Sequence, residues 1–113
     1  MDDWVRLIRV QDCPPGAARF VTARGRELAV FHLIDPDEFV VTNNSCPHAG
    51  GNLSAGEVRD RIVTCPWHHW QFDLDTGTCP LSERLRLRRF DCRIEGDYVA
   101  ACVPAAVVGD GAT

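Results

Sequence analysis

Two short segments constrain this chain more than any other part of it: Cys46-Pro47-His48-Ala49-Gly50-Gly51 and Cys65-Pro66-Trp67-His68-His69-Trp70. They read C-x-H, then sixteen residues, then C-x-x-H. Two thiolates and two imidazoles, one of each per segment, make a four-ligand metal set. One metal centre can use all four only if the fold carries both segments as loops at one end. Pro47, Gly50, Gly51 and Pro66 are loop-forming residues placed among the donors.

The rest of the composition sets bounds. A chain of 113 residues is expected to form one domain. The content, 45% hydrophobic and 25% charged, is that of a globular protein. No apolar run approaches membrane-spanning length. Met1-Asp2-Asp3-Trp4 lacks a basic-then-apolar leader, so the expected location is the cytoplasm. All 12 basic residues are Arg, and the net charge is −4. That sign disfavours nucleic acid and anionic membranes as partners and fits docking to a protein with a basic patch. Six cysteines could form a disulfide framework, but two have His neighbours at ligand spacing. The other four, Cys13, Cys79, Cys92 and Cys102, are scattered. A two-residue turn at Glu95-Gly96 pairs Cys92 with Val99. Cys102 then lies on the opposite face, so the two cannot bridge. Cys92 reads as a small core residue.

Patterning along the chain is that of a β protein. Trp4 to Val10 is strand-like. Arg19–Ala23 and Leu28–Ile34 flank the turn Arg24-Gly25-Arg26-Glu27, and Asp35-Pro36-Asp37 closes that unit. Glu38–Thr42 leads into the first Cys/His segment. Glu57-Val58 and Arg61–Thr64 bracket a tight turn at Arg59-Asp60 before the second. Trp70–Leu74 leaves it, and Asp75-Thr76-Gly77 is a further turn. Leu85 and Leu87 share one parity; Phe90, Cys92 and Ile94 share the other. One strand face can hold both sets only with a one-residue shift near Arg88-Arg89, the work of a bulge. Tyr98 to Val103 closes the fold, and 104–113 reads as a flexible tail. Trp4, Phe20, Phe31 and Phe90 read as core, and His32 as a structural strand residue. No window carries a long helical period. Eight to ten short strands imply an all-β antiparallel sandwich or barrel.

Cys2His2 is also a structural zinc set, but zinc sites more often use C-x-x-C or H-x(3–5)-H units. The two boxes, with Phe72-Asp73-x-x-Thr76-Gly77 after the second, resemble the Rieske 2Fe–2S family over roughly Phe39 to Tyr98. The resemblance implies one cluster per chain, with Cys46 and Cys65 on one iron and His48 and His68 on the iron that takes the electron. It implies a single Rieske domain over 1–103, with a cluster-binding subdomain of two loops at about 43–80. Departures from the family are informative. Respiratory relatives carry a disulfide-forming Cys in each loop where this chain has Gly51 and Trp67. They carry Ser and Tyr hydroxyl donors where it has Trp70 and Phe72. Fewer donors to sulfur lower the potential. The expectation is the lower half of the Rieske range of roughly −150 to +300 mV. Trp67 and Trp70 are expected to keep water from the cluster. His69 stands where relatives have Gly or Asn, residues tolerant of positive φ; a pH-sensitive surface imidazole is the alternative. Cys79-Pro80-Leu81 falls where relatives pack a Pro-containing loop over the cluster, and Cys79 is not expected to be a fifth ligand.

Beyond the ligands only His32 and His69 remain, too few for a mononuclear oxygenase site. The expected function is therefore non-enzymatic: a small soluble ferredoxin moving single electrons from a flavin-dependent reductase to a terminal oxygenase or other redox enzyme. The alternatives are a small subunit of an NAD(P)H-dependent nitrite reductase and, of a different class, a cluster-based redox sensor or structural metal module.

Overall fold

The computed structural model describes residues 4–34, 37–44, 52–66, 70–80 and 82–104. They contain β1 Trp4–Arg9, β2 Ala18–Ala23, β3 Arg26–Leu33, β4 Glu38–Asn43, β5 Glu57–Arg59, β6 Ile62–Thr64, β7 Gln71–Asp73, β8 Thr78–Cys79, β9 Ser82–Arg86, β10 Arg89–Phe90, β11 Cys92–Glu95 and β12 Tyr98–Cys102. Single 3-10 turns occupy Val10–Asp12 and Leu53–Ala55, and no α-helix occurs among these residues. Twelve strands exceed the expected eight to ten. The excess comes from two- and three-residue strands too short to show an alternating pattern.

All the strand pairs are antiparallel. The sheets run β1-β12-β11, β10-β4-β3-β2, β5-β6-β7 and β8-β9. The four-stranded sheet is the middle layer. On one face Leu28, Val30, Val41 and Phe90 pack with Val99, Ala101 and Val103, and with Val5 and Ile8 of the first sheet. On the other, Ala29, Phe31, Leu33 and Val40 pack with Leu53, Val63, Phe72 and Leu74. β3 therefore buries side chains of both parities, which explains why Leu28-Ala29-Val30-Phe31 is an unbroken apolar run.

Turn chemistry sets the registers. In the first hairpin Ala23 pairs with Arg26, and Arg24 and Gly25 both have positive φ (52° and 77°), the two-residue turn that suits strand twist. The second hairpin turns at Asp60-Arg61 (φ 51° and 67°), one residue beyond the expected Arg59-Asp60. That register sets Val58 opposite Val63, where both join the core beneath β3. The last hairpin also shifts by one. Gly96, at φ 59°, takes the first turn position, so Glu95 pairs with Tyr98 and Cys92 with Ala101. Cys102 still faces away from Cys92, and neither forms a disulfide, nor do Cys13, Cys65 and Cys79.

Three expectations are corrected. The parity change after Leu87 is not a bulge within one strand. The chain passes from β9 to β10 to β11, three strands of three different sheets, so Leu85 and Leu87 serve the lower core while Phe90 and Cys92 serve the upper. Ile94 is 57% exposed. Phe20 is 48% exposed, on edge strand β2, while Phe31 is fully buried. His32 is structural, as expected: Nδ1 lies 2.7 Å from the Cys13 carbonyl, Nε2 meets the Asp37 carboxylate, and the ring stacks on Phe39. The residues beyond Pro104, expected to be a flexible tail, and the expected turn residues Asp35 and Pro36 lie outside the described set. Phe31→Ala is expected to cost about 3–5 kcal/mol in urea unfolding, and Phe20→Ala less than about 0.5 kcal/mol.

Candidate metal centre

Of the four expected ligands, the structure describes Cys65. Cys46, His48 and His68 lie outside the described residues, as do Trp67 and His69. No three His, Cys, Asp or Glu residues among those described form a metal site. What the structure gives is the mount: the strand ends from which both boxes spring.

Among the described residues, a backbone hydrogen bond joins the two ends of the segment that carries each box. Leu53 N–H donates to Asn44 O at 2.8 Å, closing the first. Cys65 N–H donates to Trp70 O at 2.7 Å, closing the second. Asn44 is a buried anchor. Its N–H donates to Glu27 O at 3.0 Å, and its side-chain Oδ1 accepts from Ser54 N–H at 2.9 Å. A carboxamide suits this position because it can accept a backbone hydrogen bond without carrying a charge into the interior.

Gly56 brings the two mouths together. A Cβ there would lie 2.3 Å from Thr64 O, so only glycine lets the exit of the first loop rest against the end of β6. Ala55, Gly56, Thr64, Cys65 and Pro66 then line one hollow. Cys65 is fully buried beside Leu53, Val63, Phe72 and Leu74. Phe72 is also fully buried, and Trp70 packs on the same cluster. These two side chains bring apolar surface, and no hydroxyl, to the second loop.

The remaining cysteines separate by chemistry. Cys79 lies in the Cys65 core cluster, 5% exposed. Burial pushes the Cys13 and Cys92 thiols up from their ordinary range. Cys92 Sγ donates to Phe39 O at 3.0 Å, and Cys13 Sγ to Ala17 O and Val30 O at 3.7 and 3.8 Å. Neutral thiols bonded to carbonyls are core residues, not ligands.

At the other end of the small sheet, Arg61 acts as a clamp. Its Nε meets both Asp75 oxygens at 2.8 and 3.0 Å, and its Nη2 also contacts Glu38. Glu38 begins β4, which runs into the first box; Arg61 precedes β6, which runs into the second; Asp75 follows β7, which leaves it. One guanidinium thus ties together the roots of the strands that carry both loops. It does so from a left-handed backbone position that costs a residue with a Cβ about 1–2 kcal/mol. Gly77, at φ 81°, completes the turn after Asp75; a Cβ there would meet Leu87 O at 2.5 Å.

The donor set fits an iron–sulfur centre with mixed ligands. Of the residues the sequence offers as ligands, two are cysteines and two are histidines, donors that match a Rieske cluster better than an oxygen-seeking cation. A model of the Rieske 2Fe-2S domain matches residues 3–91, and the chain belongs to this family, which carries a 2Fe–2S cluster. A cholesterol 7-desaturase of Ciona intestinalis is 37% identical over 98 residues, 80% of this chain and 20% of that protein. The ferredoxin component of the naphthalene 1,2-dioxygenase system of Pseudomonas aeruginosa is 29% identical over 101 residues, 87% of this chain and 93% of that one. A Mycobacterium tuberculosis protein described as an NADH-dependent nitrite reductase small subunit superposes with a TM-score of 0.81 at 24% identity, covering 94% of this chain and 99% of that one. The last likeness is one of fold. This chain spans about a fifth of the length of the desaturases it matches.

Asn44, Gly56 and the Glu38–Arg61–Asp75 clamp did not stand out in the sequence. Gly56 was not singled out, and the clamp joins residues far apart in the chain.

Two outcomes follow from this mount. Gly56→Ala is expected to loosen the contact between the loops, so the variant retains less iron per chain on gel filtration, with its far-UV spectrum unchanged. Hydrogen bonding from Arg61 holds the Asp75 carboxyl below its ordinary value. Its contribution to stability is therefore complete above the unfolded value of about 3.9 and lost as pH falls below it. Urea midpoints measured against pH should show a steeper acid loss for the native chain than for Asp75→Asn.

Proposed function

We propose that Cys46, His48, Cys65 and His68 hold the 2Fe–2S cluster of a single domain spanning 1–103, and that the chain is a small electron carrier. The bound cluster supplies reversible one-electron chemistry at a potential accessible to flavins and to oxygenase centres. The protein supplies placement. Asn44 and the Cys65–Trp70 hydrogen bond close the loops, Gly56 sets them side by side, and Arg61 fixes the strands beneath. Phe72 and Trp70 keep water from the second loop on its inner side. The expected partners are a flavin-dependent reductase as donor and a terminal oxygenase or reductase subunit as acceptor, in the cytoplasm. No described helix is long and apolar enough to cross a membrane.

The observation that carries this reading is the juxtaposed pair of loop mouths at Gly56 and Thr64. The likeness to a dioxygenase-system ferredoxin component along 93% of that protein supports the carrier role. The 37% identity to a much longer desaturase supports a second reading, the same domain serving inside a larger enzyme. The size of the native protein on an immunoblot separates the two.

An EPR-monitored redox titration tests the function. An anisotropic signal is expected on reduction, with a midpoint in the lower half of the roughly −150 to +300 mV span, and Cys65→Ser is expected to abolish it. A colourless, zinc-loaded protein would remove the electron-transfer reading. A midpoint near the top of the span would show that apolar Trp70 and Phe72 do not set the potential.

A further inference from the structure

We infer that the outer face of the β1-β12-β11 sheet is a docking surface for an acidic protein segment, on the side of the molecule away from Cys65. The net charge of −4 suits a partner with a basic patch. This face is set for a partner of the opposite sign.

The register of the sheet assembles the face. Val5, Ile8, Cys92, Val99 and Ala101 point into the upper core. The residues that alternate with them therefore take the outer side. Arg6 and Arg93 both pair with Ala100, one from each neighbouring strand. Arg9 and Glu95 both pair with Tyr98, and Trp4 pairs with Cys102. Ala100 is too short to stand above the sheet between the two arginines. Three strands span about 10 Å, so the arginines form one compact patch. The middle sheet lies between this layer and the core that holds Cys65.

Aromatic rings hold the guanidiniums in place. Those of Arg6 and Arg9 lie 5.4 and 5.5 Å from the Tyr98 ring centroid, and that of Arg93 lies 3.9 Å from the Trp4 centroid. A guanidinium seated on a ring face still presents N–H edges to a carboxylate, and it has less freedom to lose when it binds one. Arg6, Arg9, Arg93 and Glu95 are the charged residues of the three strands. Glu95 meets Arg6 at 3.6 Å and Arg93 at 2.6 Å. Arg9 meets no carboxylate among the described residues. The strands thus keep a surplus of two positive charges. Arg6, Arg9 and Arg93 are exposed, and Trp4 and Tyr98 are half-buried. Arg, Trp and Tyr are the residue types that dominate protein–protein binding energy. A protein partner is favoured over nucleic acid because three arginines are too few to hold a duplex, which binds through six to ten phosphate contacts, against the repulsion of an acidic chain.

An octa-glutamate peptide is the probe. At low ionic strength it is expected to shift the NMR signals of the Trp4 indole N–H and of the Arg6, Arg9 and Arg93 Nε–H groups. Arg6→Gln/Arg9→Gln is expected to weaken binding about tenfold. Glu95→Gln, which removes the competing carboxylate, is expected to strengthen it. Shifts centred elsewhere, no binding by the native chain, or Glu95→Gln binding no more tightly than native overturns the inference, and the last of these is decisive even if the double variant fails to fold. Tighter binding of duplex DNA or of phosphatidylserine vesicles than of the peptide overturns the choice of a protein partner. None of these measurements reads the cluster, so a failure here leaves the electron-transfer reading intact, and an EPR-silent chain that still binds the peptide overturns that reading alone.

Discussion

The burial of β3 on both faces is the constraint on which the rest of this molecule depends. Leu28 and Val30 close one core; Ala29, Phe31 and Leu33 close the other. A strand used in this way needs a layer on each side, and the chain supplies them from distant parts of its sequence. The upper layer joins the N-terminal strand to the last hairpin. The lower layer is the small sheet from which the second ligand loop springs. At about 25 cal/mol per Å² of apolar surface removed from water, this shared wall is where the sequence concentrates its stabilisation. The ligand loops are free to be rich in Pro and Gly because the strands beneath them are fixed.

Around the metal centre the described residues supply three kinds of device. A backbone hydrogen bond joins the ends of each ligand segment, Gly56 lets the exit of the first rest against the end of β6, and the Arg61 guanidinium holds the strand roots. Each device acts at a different distance from the ligands. The hydrogen bonds act at the loop mouths, the glycine one turn away, and the clamp at the far end of the small sheet. A change in any of them moves whole strands, because packed strands shift together.

The cofactor class was legible in the sequence because ligand chemistry is local: C-x-H and C-x-x-H say what they bind without reference to the fold. Turn positions were legible from Gly25, Gly77 and Gly96. Their exact registers were not, since a one-residue choice between Arg59-Asp60 and Asp60-Arg61 is settled by whether Val58 finds Val63. Phe20 and Ile94 were misread because parity says which face a residue takes, not whether another layer covers that face. The Arg61 clamp was invisible for a different reason. Arg61, Glu38 and Asp75 are brought together by tertiary contacts alone, and each alone looks like an ordinary surface charge.

The passage of the chain through Leu85, Leu87, Phe90 and Cys92 has a consequence for how this molecule comes apart. Within eight residues the chain enters the lower core, crosses beside β4 and enters the upper core. Neither core can open without pulling on the thread that seals the other. The two cores should therefore exchange their amide hydrogens as one cooperative unit, and the layer bearing the ligand loops inherits the full protection of the layer furthest from it.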